Sequence, residues 1–265
     1  MKARISLAIA LSALFSLSVA AQEVTLTRLD CGSGQNDPRR FTDTFAYTEL
    51  TRPFTFSCYV VRRGSDVMVW DVGYLPGSVP SANNKPLADL LKQINVNAED
   101  VKFVGISHFH ADHTGQLAPL KNATLLIGKG DWDGITATPP MGGANVKGFA
   151  EWIAEKRKVE PLTGDKDVFG DGSVMILRSP GHTPGHSLLL VRLKEMGPVL
   201  LSGDAVHFRE NYELEGVPSF NYDRAQTIAS IQRMKQIEKN LKATVIIQHD
   251  PRDIGKLPAF PAAAK

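Results

Sequence analysis

The chain has 265 residues, with 30 Lys and Arg against 28 Asp and Glu and 43% hydrophobic residues. A protein so near electrical balance has no basic footprint for nucleic acid, and its length is enough to bury a full core. Its one short basic run, Lys156-Arg157-Lys158, reads as the solvated end of a helix, where the dipole favours positive charge.

Lys2 and Arg4, the apolar stretch Ile5 to Val19 and the small residues Ala20 and Ala21 form a secretory signal peptide pattern, so residues 1–21 are expected to be removed on export. A transmembrane anchor fits less well, because the apolar stretch falls short of the roughly 20 residues that span a bilayer. Removal takes out Lys2 and Arg4, two of the 30 basic residues, and leaves 28 facing 28 acidic ones. Residues 22–265 are then expected to form a single domain in the periplasm or outside the cell.

Strand patterns occupy Val24 to Asp30, Phe56 to Arg62 and Asp66 to Val72, a meander turned at Arg63-Gly64-Ser65. Cys31 and Cys58 lie in apolar, strand-like contexts without metal-site spacing. Export permits a disulfide between them, and buried free thiols fit equally well. Helical spacing runs from Lys85 to Ile94 through Leu87, Leu90 and Leu91, and a buried strand follows at Val101 to Ser107. After a short strand at Thr124 to Ile127, the Gly- and Pro-punctuated segment 131–158, with a helix at Val146 to Glu155, reads as a cap over a site, since long irregular segments in compact domains are usually functional. Strands return at Ser173 to Arg178, Ser187 to Leu193 and Val199 to Ser202. A long helix at Asp223 to Leu241 is capped by Asp223 with Gln226 at N3, and its inner face is Ile228, Ile231, Met234, Ile237 and Leu241. The last strand is Thr244 to Gln248. Strands arriving in runs between single helices predict two packed sheets with helices outside.

Chemistry concentrates at His108-Phe109-His110-Ala111-Asp112-His113, directly after a buried strand, where α/β proteins place functional loops. Imidazole with carboxylate and no nearby thiolate suits zinc or another first-row divalent ion. Four donors in six residues are too many for one tetrahedral ion, so alternate residues are expected to serve two ions side by side. Further donors stand at strand ends and turns: His182 and His186 in Gly181-His182-Thr183-Pro184-Gly185-His186, Asp204 after Leu200-Leu201-Ser202-Gly203, and His249 after Val245 to Gln248. A carboxylate ending a buried strand is costly unless it binds a cation or pairs.

His-x-His-x-Asp-His, then Thr-Pro-Gly-His, then Gly-Asp, then a strand-end His resembles the metallo-β-lactamase superfamily of dinuclear metallohydrolases, in the right order across the chain. The resemblance implies an α+β fold, an αββα sandwich of two mixed sheets with outer helices. It implies two divalent ions, zinc first among them, with His108, His110 and His186 on one, Asp112, His113 and His249 on the other, and Asp204 bridging. His182 is left as a structural turn residue. Leu29-Asp30-Cys31-Gly32, Ser57-Cys58-Tyr59-Val60-Val61, Val69-Trp70-Asp71-Val72-Gly73, His186-Ser187-Leu188-Leu189, Ser202-Gly203-Asp204-Ala205 and His249-Asp250-Pro251 look like the N-acyl-homoserine lactonases of that superfamily.

Such a relative opens the lactone ring with a hydroxide held between the ions, and Asp112 is placed to pass a proton to the leaving oxygen. The family tyrosine three residues after the bridging aspartate is here His207, which is expected to donate to the substrate carbonyl. Phe109 and Trp132 are the expected acyl-chain contacts. A β-lactamase or thioesterase on the same site is the nearest rival, and a metal-binding or redox protein without hydrolysis is the rival of another class.

Overall fold

The computed structural model describes residues 22–79 and 83–265, so the leader read at 1–21 lies outside the described residues. The first sheet holds β1 (Val24–Asn36), β2 (Arg52–Arg63), β3 (Asp66–Trp70), β4 (Phe103–Ile106), β5 (Thr124–Gly128) and β6 (Val159–Leu162), side by side in chain order. Its first three strands form an antiparallel meander, and β3 to β6 run parallel. Parallel neighbours need crossovers. These are supplied by α1 (Leu87–Gln93), α2 (Ala111–Thr114), α3 (Lys129–Thr136) and α4 (Ala150–Ile153).

The second sheet has the order β11-β10-β9-β8-β7, built from β7 (Lys166–Asp167), β8 (Val174–Arg178), β9 (Ser187–Leu193), β10 (Gly197–Leu201) and β11 (Thr244–Ile246). It is antiparallel except for β10 and β11, which run parallel. Between those two strands the chain passes through α5 (Arg209–Leu214) and α6 (Arg224–Leu241).

Side-chain alternation explains the layers. On β9, Leu189 and Val191 meet Tyr59, Met68 and Trp70 of the first sheet in the central core, while Leu188 and Leu190 face Ile231 and Met234 of α6 on the other side. Burial on both faces accounts for the unbroken apolar run Leu188 to Val191. The first sheet's other face packs Val104 and Ile106 against Leu87, Leu91, Phe149 and Trp152. The result is an αββα sandwich, as expected.

Local differences have local causes. Asp223 caps α6 by accepting from the Gln226 amide at 2.9 Å, but the buried face is Thr227, Ser230, Ile231 and Met234, rotated from the apolar stripe that includes Ile228. Thr227 and Ser230 are buried because they dock on a turn of the second sheet, where the Ser230 hydroxyl donates to the Pro180 carbonyl at 2.7 Å. The helix expected at Val146 to Glu155 is a 3-10 turn at Val146–Phe149 that continues as α4. Gly130 and Gly134 hid α3 from propensity arguments. Cys31 and Cys58 form a disulfide that ties β1 to β2, with their Cα atoms 5.9 Å apart. Among the described residues no helix is long and apolar enough to cross a membrane.

Candidate metal centre

The site lies on one edge of the sandwich, where β4, β10 and β11 and the β8–β9 turn all end. The loop after β4 carries His108 and His110, the short helix α2 that continues it carries Asp112 and His113, the β8–β9 turn carries His182, and Asp204 and His249 follow β10 and β11. Two groups of donors converge there: His108, His110, His182 and Asp204, and Asp112, His113, Asp204 and His249, each group with its ligand atoms within 4.8 Å of one another.

In the first group, His110 Nδ1 is 2.9 Å from His108 Nε2 and 3.0 Å from His182 Nε2, and Asp204 Oδ2 is 3.6 and 3.5 Å from His108 and His182. In the second, His113 Nε2 is 3.1 Å from His249 Nε2, Asp112 Oδ2 is 3.6 and 3.5 Å from those two nitrogens, and Asp204 Oδ1 is 3.2 and 2.9 Å from them. Donors about 2.1 Å from a tetrahedral centre stand about 3.4 Å apart, so both groups have the edge lengths of a coordination shell. Asp204 Oδ1 is buried without a hydrogen bond, an orphan that a cation satisfies. The residues present therefore fit two divalent ions, with one Asp204 oxygen turned to each.

Electrostatics prepares the donors. Burial pushes His108 and His182 well below the usual imidazole range and His110 below it, so these rings are neutral and ready to ligate. His113 goes the other way. Burial opposes its charge, but Asp204, Asp71 and Asp112 override it and hold the ring well above the usual range, so an ion entering that half displaces a proton. The imidazoles clustered around Asp204 hold its carboxyl well below the usual carboxylate range against its own burial.

Three of the rings are aimed by a second contact, as ligating histidines generally are. His113 Nδ1 donates to Asp71 at 2.8 Å, His249 Nδ1 to the Thr55 carbonyl at 2.8 Å and His182 Nδ1 to Asn221 Oδ1 at 3.3 Å. Asp71 is itself held by the Ser107 amide at 2.8 Å and by Gln248 at 3.0 Å. Neither Asp71 nor Gln248 was anticipated from sequence, although both border the strand-end motifs.

Sequence reasoning assigned His186 to the first ion and left His182 to the turn; the geometry reverses the two. His182 sits at the apex of the β8–β9 turn and points into the cluster. His186, wholly buried beside the start of β9, spends both nitrogens on structure: Nδ1 meets Ser179 Oγ at 2.7 Å, and Nε2 accepts from the Asp204 amide at 2.8 Å. Gly203 makes room for it, since a Cβ there would lie 2.5 Å from His186 Nε2.

Phe109 is also placed differently. It alternates with His108 and His110, so its side chain turns into the core, where Trp132 packs as well. The cleft over the donors, about 300 Å³, is instead walled by Phe41, Phe54, Phe56, Tyr74 and Phe220, with Arg40 at its side and Asp112, Asp204 and His207 on its floor. From the segment read as a cap, only Gly143 reaches it. His207 turns Nε2 toward Asp204 Oδ2 at 3.0 Å, while its Nδ1 is buried without a partner and its ring lies 4.6 Å from that of Phe41.

Comparison with known proteins agrees with this geometry. The profile of the metallo-beta-lactamase superfamily matches residues 52–249. The chain belongs to the metallo-β-lactamase superfamily. Within the superfamily it is 33% identical over 169 residues to the N-acyl homoserine lactonase AttM of Rhizobium radiobacter and 30% identical over 164 residues to an N-acyl homoserine lactonase of a Bacillus species. These matches cover 62% of this chain in both cases, and span 63% and 62% of the relatives' own lengths. Among solved structures, a single-substitution mutant of Bacillus thuringiensis AiiA with N-decanoyl-L-homoserine bound superposes with a TM-score of 0.78 at 22% identity, over 92% of this chain and 99% of that one. AidC, described as a dizinc quorum-quenching lactonase, gives 0.67 at 18% identity over 92% and 91%.

Proposed function

We propose that this metallo-β-lactamase superfamily member is a hydrolase that opens the lactone ring of N-acyl-homoserine lactones, with zinc in both halves of the site, and that it works outside the cytoplasm. The observation that carries the reading is the Asp204-bridged pair of donor groups on the floor of an aromatic-walled cleft. Its similarity to lactonases over 62% of the chain supports the substrate class, and the Cys31–Cys58 disulfide supports export.

Two divalent ions, when bound, supply polarisation of a carbonyl and acidification of water near neutral pH. The chain's own groups do the rest. Phe41, Phe54, Phe56 and Phe220 offer the apolar wall an acyl chain needs, and they narrow the space above the donors. Asp112 lines the cleft with part of its carboxylate open to it, placed to hand a proton to the departing ring oxygen. His207 presents Nε2 beside Asp204, where an N–H donates to the oxygen that gains charge. The Tyr74 phenol is pushed above its usual range by Asp112, then by burial and Asp204, so it stays protonated as a second donor in the cleft.

The test is a substrate panel on metal-quantified protein: an acyl-homoserine lactone, a chromogenic β-lactam and a thioester. Lactone turnover that vanishes on chelation and returns with metal is expected. Turnover that survives complete removal of metal, or confined to the β-lactam or thioester, overturns the reading. His207→Phe keeps the aromatic packing around Phe41 and forfeits no hydrogen bond at Nδ1, so the protein should fold and load metal normally. Its kcat on the lactone should fall about 10²–10³-fold, the cost of one lost oxyanion donor. An unchanged rate would leave His207 with a packing role only.

A further inference from the structure

We propose that Asp131 is a positioning residue that sets the distance between the His108/His110 loop and the His182 turn, and thereby the affinity for one ion of the two. This rests on the two-ion reading of the site. Asp131 is wholly buried near the start of α3, and all its close partners are neutral donors belonging to the two ligand-bearing segments. The Phe109 amide donates to Oδ2 at 3.0 Å, the Thr183 hydroxyl to Oδ2 at 2.9 Å, and the Gly185 amide to Oδ1 at 2.6 Å. Phe109 lies between His108 and His110, and Thr183 directly follows His182.

A single carboxylate therefore joins the backbones on either side of the 3.0 Å approach between His110 and His182. The helix is pressed against the turn so closely that only glycine fits. A Cβ on Gly128 would lie 1.8 Å from the Gly185 carbonyl oxygen, and one on Gly185 would lie 2.4 Å from the Asp131 amide nitrogen. Such contact leaves the carboxylate little freedom to relax.

The second donor group hangs on other supports, Asp71 behind His113 and the Thr55 carbonyl behind His249. Loosening Asp131 should therefore act on one ion and spare the other, an asymmetry that general destabilisation does not produce. A buried carboxylate with three donors is also hard to replace. An amide at the same place turns an NH₂ toward at least one of them, leaving it unpaired.

The experiment compares the parent with Asp131→Asn and Thr183→Val by metal titration, by the absorption spectrum of the cobalt-loaded protein and by thermal unfolding of the metal-free protein. The parent should bind two ions. In Asp131→Asn the affinity of one ion should fall on the order of 10–100-fold, with its cobalt bands altered and the second ion unchanged. Thr183→Val, which removes one donor and leaves the carboxylate, should move the same ion in the same direction by less, and it decides the matter if Asp131→Asn fails to fold. Parental affinities and spectra for both ions, with only the melting temperature lowered, overturn the proposal and leave Asp131 a packing residue. A parent that binds a single ion overturns the two-ion reading, and this assignment with it.

Discussion

Asp204→Asn protein should fold and yet hold fewer than one ion per chain where the parent holds two, with lactone hydrolysis reduced by more than about 100-fold, the upper end of what even a lost outer partner of a ligand costs. Both oxygens of Asp204 are committed, Oδ2 toward His108 and His182 and Oδ1 toward His113 and His249. An amide is neutral and presents one oxygen, so it cannot serve both groups. The same substitution removes the negative charge that does most to hold His113 protonated in the metal-free protein. Elemental analysis beside initial rates checks the expectation, and two ions retained with parental turnover would deny Asp204 the bridging place.

The second large effect separates two histidines four residues apart. His182→Ala should lose one ion of two and most activity, while the metal-free protein melts close to the parent. His186→Ala should do the reverse in the metal-free state. It strands the Asp204 amide and Ser179 in a dry interior, at a cost of about 1–3 kcal/mol for the unsatisfied group, with a cavity penalty added. Unfolding curves and metal content measured on both variants settle which imidazole ligates. A stable His186→Ala protein with one ion missing would return that role to His186.

The difference between these two residues shows where sequence reasoning stopped. His108, His110, Asp112, His113, Asp204 and His249 were legible because each stands in or next to the loop that ends a recognisable buried strand, and the structure brings all six together. Gly181-His182-Thr183-Pro184-Gly185-His186 offers two imidazoles in near-identical turn surroundings, and the family resemblance places the ligand at the one that ends Thr-Pro-Gly-His. The geometry decides otherwise, because His182 at the apex of the turn points into the donor cluster while His186, next to the strand, bonds to Ser179 and the Asp204 amide. The layers were legible for a similar reason: apolar runs and the Asp223 cap are local. The cleft walls were not, since Phe41, Phe54 and Phe220 come from distant segments with no shared period, and nearness in sequence to the histidine cluster and to the cap segment pointed to Phe109 and Trp132 instead. Asp131 escaped notice because its partners lie 22, 52 and 54 residues away.

Each donor group takes residues from both sheets: the loop after β4 belongs to the first, and the segments bearing His182, Asp204 and His249 to the second. An ion held there closes a clasp across the seam of the sandwich, alongside the bond from Gln248 to Asp71 that spans the same seam. Binding to the folded state alone adds stability by mass action. On the proposed reading the reaction centre is thus also a fastening, and metal supply governs how long the two halves stay shut as well as how fast a substrate is turned over.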